Sequence, residues 1–163
     1  MNIDPFFTRL NPVIGAVLRS PFHWLLSSGL VLLTVTGRRS GRRYSIPVGY
    51  QRRGDGLVIL VSNADTKQWW RNYRLQPGQE QPGSVELRLR GRRVDGQAVV
   101  VEPESREFGE RVEASFRRMP WLGRQFGIHY DKRTGLGDEQ LAQLRQTAAV
   151  VRVSLEDEQP QAG

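Results

Sequence analysis

The chain has 163 residues, enough for one ordinary globular domain and too few for two. It is 38% hydrophobic and 25% charged, the balance of a folded soluble protein rather than a disordered or fibrous one. The absence of cysteine excludes disulfides, thiolate nucleophiles, zinc-cysteine sites and iron-sulfur clusters together, while 24 basic against 17 acidic residues give +7 and point to an anionic partner.

Of the 24 basic residues only Lys67 and Lys132 are lysine. Arginine's planar fork suits bidentate contact with phosphate or carboxylate, although a genome rich in G and C would raise arginine as well, so position has to decide. The longest strict apolar run is Leu57 to Val61, far short of the roughly 20 residues that span a bilayer. The N-terminus has no basic start, long apolar stretch and small-residue cleavage site in series, so a cytoplasmic protein is expected.

In chain order, residues 1–28 read as two short helices, with Asn11 before Pro12 and Ser20 before Pro21 as caps. Phe6, Leu10, Val13, Ile14, Val17 and Leu18 form an apolar stripe suited to core packing or to weak contact with a membrane surface. Strands are predicted at Leu30 to Thr36, Tyr44 to Gln51 and Leu57 to Asn63, the last two joined by the turn Arg53-Gly54-Asp55-Gly56. Val85, Leu87 and Leu89 alternate with charged residues as in a strand with one wet face, and Gly91 turns the chain into Val94 to Glu102. A helix from Pro103 to Arg118, a looser segment over 119–137, a helix capped by Asp138 and running to Thr147, and a strand from Val150 to Leu155 follow. The tail 156–163 reads as disordered. Six short antiparallel strands with few helices predict an α+β protein built on a small barrel, a single domain over 1–155, with its sheet edges removed by closure.

Two segments could carry chemistry. Thr36-Gly37-Arg38-Arg39-Ser40-Gly41-Arg42-Arg43, between two strands, packs four arginines into six residues with glycines that let the backbone approach an anion. It has neither the glycine spacing nor the following helix of a Walker or dinucleotide loop, and a solvated loop is the bland alternative. The second segment, Ser62 to Tyr73, places Trp69, Trp70 and Tyr73 beside Lys67, Arg71 and Arg74, a composition able to stack a flat heterocycle and hold its anionic tail, or simply to fill a core. His23 and His129 have no neighbours at ligand spacing, so no metal site is expected.

Leu33-Thr34-Val35-Thr36-Gly37-Arg38-Arg39-Ser40-Gly41-Arg42-Arg43, followed by Ile46-Pro47-Val48, Ser62-Asn63 and Trp69-Trp70-Arg71-Asn72, resembles the deazaflavin-dependent nitroreductase family, a branch of the flavin-reductase-like split β-barrels. The resemblance covers about Pro12 to Glu102. It implies a six-stranded split barrel binding coenzyme F(420), whose phosphodiester and glutamate tail would match the positive charge. The cofactor-binding residues it implies are Thr36, Gly37, Arg38, Arg39, Ser40, Gly41, Arg43, Ile46, Pro47, Val48, Asn63, Trp69, Trp70 and Asn72. Ser62 matches a serine on the substrate side. Three departures stand out: Tyr44 where the known nitroreductases have arginine, Gly49 where they have a substrate-side tyrosine with Tyr50 next along, and a shorter loop between Asn63 and Trp69.

The reaction so implied is hydride transfer from reduced deazaflavin to an electron-poor acceptor such as a quinone or nitroaromatic, with Tyr50, Ser62 and Tyr130 as candidate proton donors. The competing readings are an FMN-dependent reductase of the same fold, a non-catalytic deazaflavin carrier, and a nucleic-acid binder, the last without any recognisable binding motif. A lipid-soluble quinone would make a place at the inner face of the membrane useful, reached through the N-terminal stripe with Arg9 and Arg19. A homodimer would follow the habit of related folds.

Overall fold

The computed structural model describes residues 30–37, 40–54, 56–79, 82–89 and 92–156. Seven strands form one antiparallel sheet: β1 (Leu30–Thr36), β2 (Arg43–Gly49), β3 (Gln51–Arg53), β4 (Gly56–Val61), β5 (Gly83–Leu89), β6 (Arg92–Val100) and β7 (Ala149–Leu155), in the spatial order β2-β1-β5-β6-β7-β4-β3. The expected count was six. The difference is the stretch read as one strand, which breaks at Tyr50: β2 pairs with β1, Leu33 opposite Ile46, whereas β3 pairs with β4, Gln51 opposite Val58. The two edges of the sheet are thus consecutive in the chain, and one bent strand closes the barrel covalently. Continuing the β3–β4 register backwards would set Val48 opposite Val61 and Pro47 opposite Ser62, yet no ladder forms there. That gap is the split of the barrel. Pro47, which has no N–H to donate, sits on this edge strand, where a missing donor is tolerated.

Side-chain alternation decides what each strand buries. Val31, Leu33 and Val35, Ile46, Leu57, Ile59 and Val61, Val85, Leu87 and Leu89, and Val151 and Val153 fill the barrel interior. The outward residues of β5 are Glu86 and Arg88, as its period predicts, whereas β4 is apolar on both faces because Val58 and Leu60 enter a second core outside the barrel. This explains the uninterrupted run from Leu57 to Val61: helices cover the outer side of β4 and β7.

The first covering helix, α1 (Arg106–Arg118), begins three residues later than expected, after a turn over 103–105, with the Ser105 hydroxyl accepting from the Phe108 N–H at 3.2 Å. Phe108, Val112, Ser115 and Phe116 make its buried stripe, Glu107 lies in the first turn, and Arg117 and Arg118 in the last turn complement the helix dipole. A 3-10 turn (Pro120–Phe126) folds back on α1 and leads to α2 (Asp138–Thr147). Asp138 is the first helical residue of α2 and not its cap; Gln140 reaches back and accepts from the Gly137 N–H at 3.0 Å. Glu156, expected in the free tail, is tied to the sheet, its N–H donating to Asp95 and its carboxylate accepting from Gln97. The predicted N-terminal helices and their apolar stripe lie outside the described residues, as do 157–163. No described helix is long and apolar enough to cross a membrane.

Candidate functional site

The split is bordered by β2, by the residues that follow β4, and by the 3-10 turns over Ala64–Thr66 and Trp69–Tyr73. The arginine-rich loop enters it at the start of β2. Arg38 and Arg39 lie outside the described residues, but the loop's frame is defined. The Gly37 N–H donates to the Arg42 carbonyl at 2.9 Å and the Gly41 N–H to the Gly37 carbonyl at 2.9 Å, closing a tight ring with Gly41 at φ 67°. Ser40 folds under this ring, its Oγ accepting from the Arg42 N–H at 3.2 Å, and a Cβ on Gly37 would sit 2.8 Å from that oxygen. A side chain at Gly37 would therefore have to displace the Ser40 hydroxyl, and Gly41 is required by its backbone angle. Arg42 and Arg43 are exposed at the mouth; Arg43 is bonded to Glu86 at 2.7 Å, and the same carboxylate oxygen takes Arg93 at 3.0 Å. Two guanidinium groups share one acid, so the loop keeps its positive excess.

Along β2 the alternation divides the expected ring-side residues. Ile46 is buried and Val48 packs on the barrel interior, so each offers the split its backbone, while Pro47 alone faces outward. Tyr44 also points inward and hydrogen-bonds Asn72; burial raises its phenol above the ordinary value and that bond pulls it back. Asn72 in turn donates to the Trp69 carbonyl at 2.9 Å. Tyr44 and Asn72 therefore clip β2 to the turn at the barrel's end.

The two tryptophans are parts of the barrel core. Trp70 is buried, donates from Nε1 to the Ala64 carbonyl at 2.9 Å, and has Arg74 over its ring at 4.7 Å and Arg71 at 5.6 Å. Trp69 is buried too and meets Tyr73 edge-on at 6.4 Å. The turn acts as a plug, and its aromatic rings shape the split from within. Tyr73 is only 3% exposed, yet its hydroxyl has no hydrogen-bond partner among the described residues, and burial beside Tyr44 holds its phenol well above the usual tyrosine range.

Ser62 and Asn63 follow β4 directly. Asn63 is the one described non-glycine residue with positive φ, 48°, a left-handed turn that asparagine tolerates; its carbonyl accepts from the Thr66 N–H at 3.0 Å and the Thr66 hydroxyl at 2.8 Å. This turn brings Lys67 back so that its Nζ lies 3.5 Å from the Ser62 hydroxyl. The sequence set Lys67 beside the aromatic cluster but did not pair it with Ser62, because a five-residue separation has no meaning until the Asn63 turn is known. Tyr50 is the residue at the strand break, half-buried against the interior.

Tyr130 lies elsewhere. It belongs to the core outside the barrel, edge-on to Phe116, with its hydroxyl donating to Glu113 at 2.5 Å. Burial and that carboxylate push its phenol up to about 12. Glu113 also accepts from the Leu136 N–H at 2.8 Å and Arg117 at 3.0 Å; burial alone would raise its carboxyl, but these bonds outweigh it and hold the group below the usual range. The pair joins α1 to the segment preceding α2. Ser62 thus follows β4 at the split and Tyr50 stands at the strand break beside the barrel interior, whereas Tyr130 belongs to the core on the other side of the sheet.

No curated protein is matched by this sequence. Among solved structures, the chain is similar to the heme storage protein HutZ from Vibrio cholerae, at 16% identity over 85% of this chain and 91% of that one, TM-score 0.49. It is also similar to a protein ascribed to 5-nitroimidazole antibiotic resistance from Bacteroides thetaiotaomicron, at 9% identity over 83% and 78%, TM-score 0.41. The family description that matches is F420H(2)-dependent quinone reductase, over residues 21–119, a span that takes in the arginine loop, the split and the tryptophan turn. With more than half of its length so matched, the chain belongs to the F420H(2)-dependent quinone reductase family.

Proposed function

We propose that the split binds reduced coenzyme F(420) and that the protein reduces a quinone-class acceptor held against it. The observation that supports this most is the placement of a glycine-pinned, positively charged loop at the mouth of a gap along an unpaired strand edge. The fit is chemical. Arg42, Arg43 and the sequence neighbours Arg38 and Arg39 would neutralise a phosphodiester and carboxylate tail, and the open backbone of Ile46 to Val48 would border a flat ring. When bound, the reduced deazaflavin supplies a hydride.

The chain's own tasks are orientation and proton supply. Tyr44, Asn72, Trp69 and Trp70 fix the plug and hence the width of the split. Ser62, with its hydroxyl beside the Lys67 ammonium, can donate a proton to the oxygen of a reduced acceptor and be recharged from that ammonium. Tyr50 stands on the same side at the strand break. The Tyr130 hydroxyl, committed to Glu113, takes no part in this reading.

The test is a fluorescence titration with coenzyme F(420) run beside FMN. The deazaflavin binds preferentially, and Arg38→Ala with Arg39→Ala weakens it at least about tenfold, the loss expected for one or two charge-assisted bonds of about 1.5–3 kcal/mol each. A preference for FMN, or equal affinity in the double variant, refutes the assignment.

A further inference from the structure

Three arginines from three distant parts of the sequence converge on the outer face of the barrel. Arg53 at the end of β3, Arg152 on β7 and Arg111 on α1 line a surface cleft of about 90 Å³ together with Gly56 and Ser154. Arg152 approaches Glu107 Oε1 at 2.8 Å and the Arg111 Nε approaches the same oxygen at 3.4 Å. Arg53 is held from behind: its Nη2 donates to the Gln51 side chain at 3.2 Å and its Nη1 to the Arg52 carbonyl at 3.3 Å, while buried Gln51 donates to the Ser115 carbonyl of α1 at 3.4 Å. Glu107 thus pairs with two of the three guanidinium groups, those of Arg111 and Arg152, while the bonds of Arg53 go to the neutral Gln51 side chain and Arg52 carbonyl.

Gathering like charges in a half-buried cleft is unfavourable unless an opposite charge completes it. One carboxylate answers one of the three, and each guanidinium has five N–H donors of which the bonds above use one or two. What remains is an excess of two positive charges, a set of forked donors and the Ser154 hydroxyl, in a space the size of one small oxyanion. Gly56 lies at the opposite end of β4 from Ser62, about 20 Å along the strand at roughly 3.3 Å per residue. An anion held here is therefore separate from any held by the Thr36–Arg43 loop.

We propose that this cleft is a second anion site, fitted to a phosphate-sized dianion, either free phosphate or the phosphoryl group of a small metabolite. Arg53, Arg111 and Arg152 are its donors, and Gln51 and Glu107 are the residues that position them.

The test uses the full chain and two probes, inorganic phosphate and glycerol phosphate, titrated calorimetrically at constant ionic strength against sodium chloride. Phosphate binds the wild type, and Arg53→Gln with Arg152→Gln weakens it at least tenfold. Arg124→Gln, which removes one charge from the exposed turn after α1, leaves it unchanged. Arg53→Lys with Arg152→Lys, which keeps charge and loses the fork, gives an intermediate loss. Tighter binding of the ester assigns the site to a phosphorylated metabolite, equal binding to the free ion, and each supports the proposal. Asp55, two residues after Arg53 in the sequence and outside the described residues, is tested as Asp55→Asn, which leaves binding unchanged or tightens it. On the unmutated chain, phosphate shields Arg53, Arg111 and Arg152 from an arginine-specific dicarbonyl reagent read by peptide mapping. No binding beyond chloride, equal loss in Arg124→Gln, or loss in Arg43→Gln without loss in the cleft variants would overturn it.

Discussion

Tyr73→Phe is expected to stabilise the protein. The Tyr73 ring is packed in the plug of the barrel, close enough to β5 that a Cβ on Gly83 would lie 3.0 Å from it, and its hydroxyl is buried with no partner among the described residues. A buried unpaired hydroxyl carries a desolvation penalty of about 1–3 kcal/mol. Phenylalanine keeps the ring and its contact with Trp69 and removes the oxygen alone. Allowing for the small space left behind, the gain is about 1–2 kcal/mol. For a chain of this length that corresponds to a rise of roughly 2–8 °C in Tm at about 2–4 °C per kcal/mol. Thermal and urea unfolding at pH 7 followed by circular dichroism would read it. Tyr44→Phe is the matched opposite: its hydroxyl is bonded to Asn72, so its loss should destabilise by about 0.5–1.5 kcal/mol. If Tyr73→Phe unfolds at or below the wild-type midpoint, the hydroxyl is satisfied in solution and the reasoning about the plug is wrong.

Gly56→Ala should destabilise by about 2–3 kcal/mol, because its Cβ would sit 2.3 Å from the Val153 carbonyl oxygen within the β4–β7 ladder; a variant that matches wild type in urea would contradict this. Ser62→Ala should lower kcat for quinone reduction about 10- to 100-fold with little change in cofactor affinity, and rescue of Lys67→Ala by added primary amines would mark the ammonium as the proton source; an unaffected kcat removes Ser62 from the reaction. Glu113 has its folded pKa lowered, so the stability it contributes is present above the ordinary carboxylate range and lost as pH falls through the folded value. Glu113→Gln should therefore flatten the acid limb of a urea-midpoint profile. Tyr130 is the reverse: with its pKa raised from 10 to about 12, its contribution is present below pH 10 and lost as pH rises through about 12, and Tyr130→Phe should flatten that alkaline limb. A profile unchanged by either substitution would show that the pair does not titrate with folding.

The strands and the tight turn of the arginine-rich loop were legible because each rests on a local rule. Period-two alternation located β5, and the turn at Gly91 and the apolar run after Ala149 located β6 and β7, all within two residues; the glycine and serine positions of the Thr36–Arg43 loop marked a backbone that turns tightly. The run Leu57 to Val61 indicated a strand, but only the helices laid over it explain why both of its faces are apolar. The bend at Tyr50 was not legible, since nothing in Ile46 to Arg53 says that the two halves pair with different neighbours; that follows from β1 and β4 standing on opposite sides of the closed sheet. For the same reason Trp69 and Trp70, which composition left open between stacking surface and core, became a plug once Ala64 and Tyr44 were placed beside them.

By itself, then, the sequence determined a basic, cysteine-free antiparallel barrel with a glycine- and arginine-rich loop between its first two strands, because periodicity, glycine placement and charge act over a few residues. Only the tertiary structure decided that Ser62 meets Lys67, that Tyr130 serves Glu113 across the sheet from the split, and that Arg53, Arg111 and Arg152 share one cleft. Those meetings depend on strand order and on which way each residue faces, and residues far apart in the chain acquire chemistry together only when the sheet has closed.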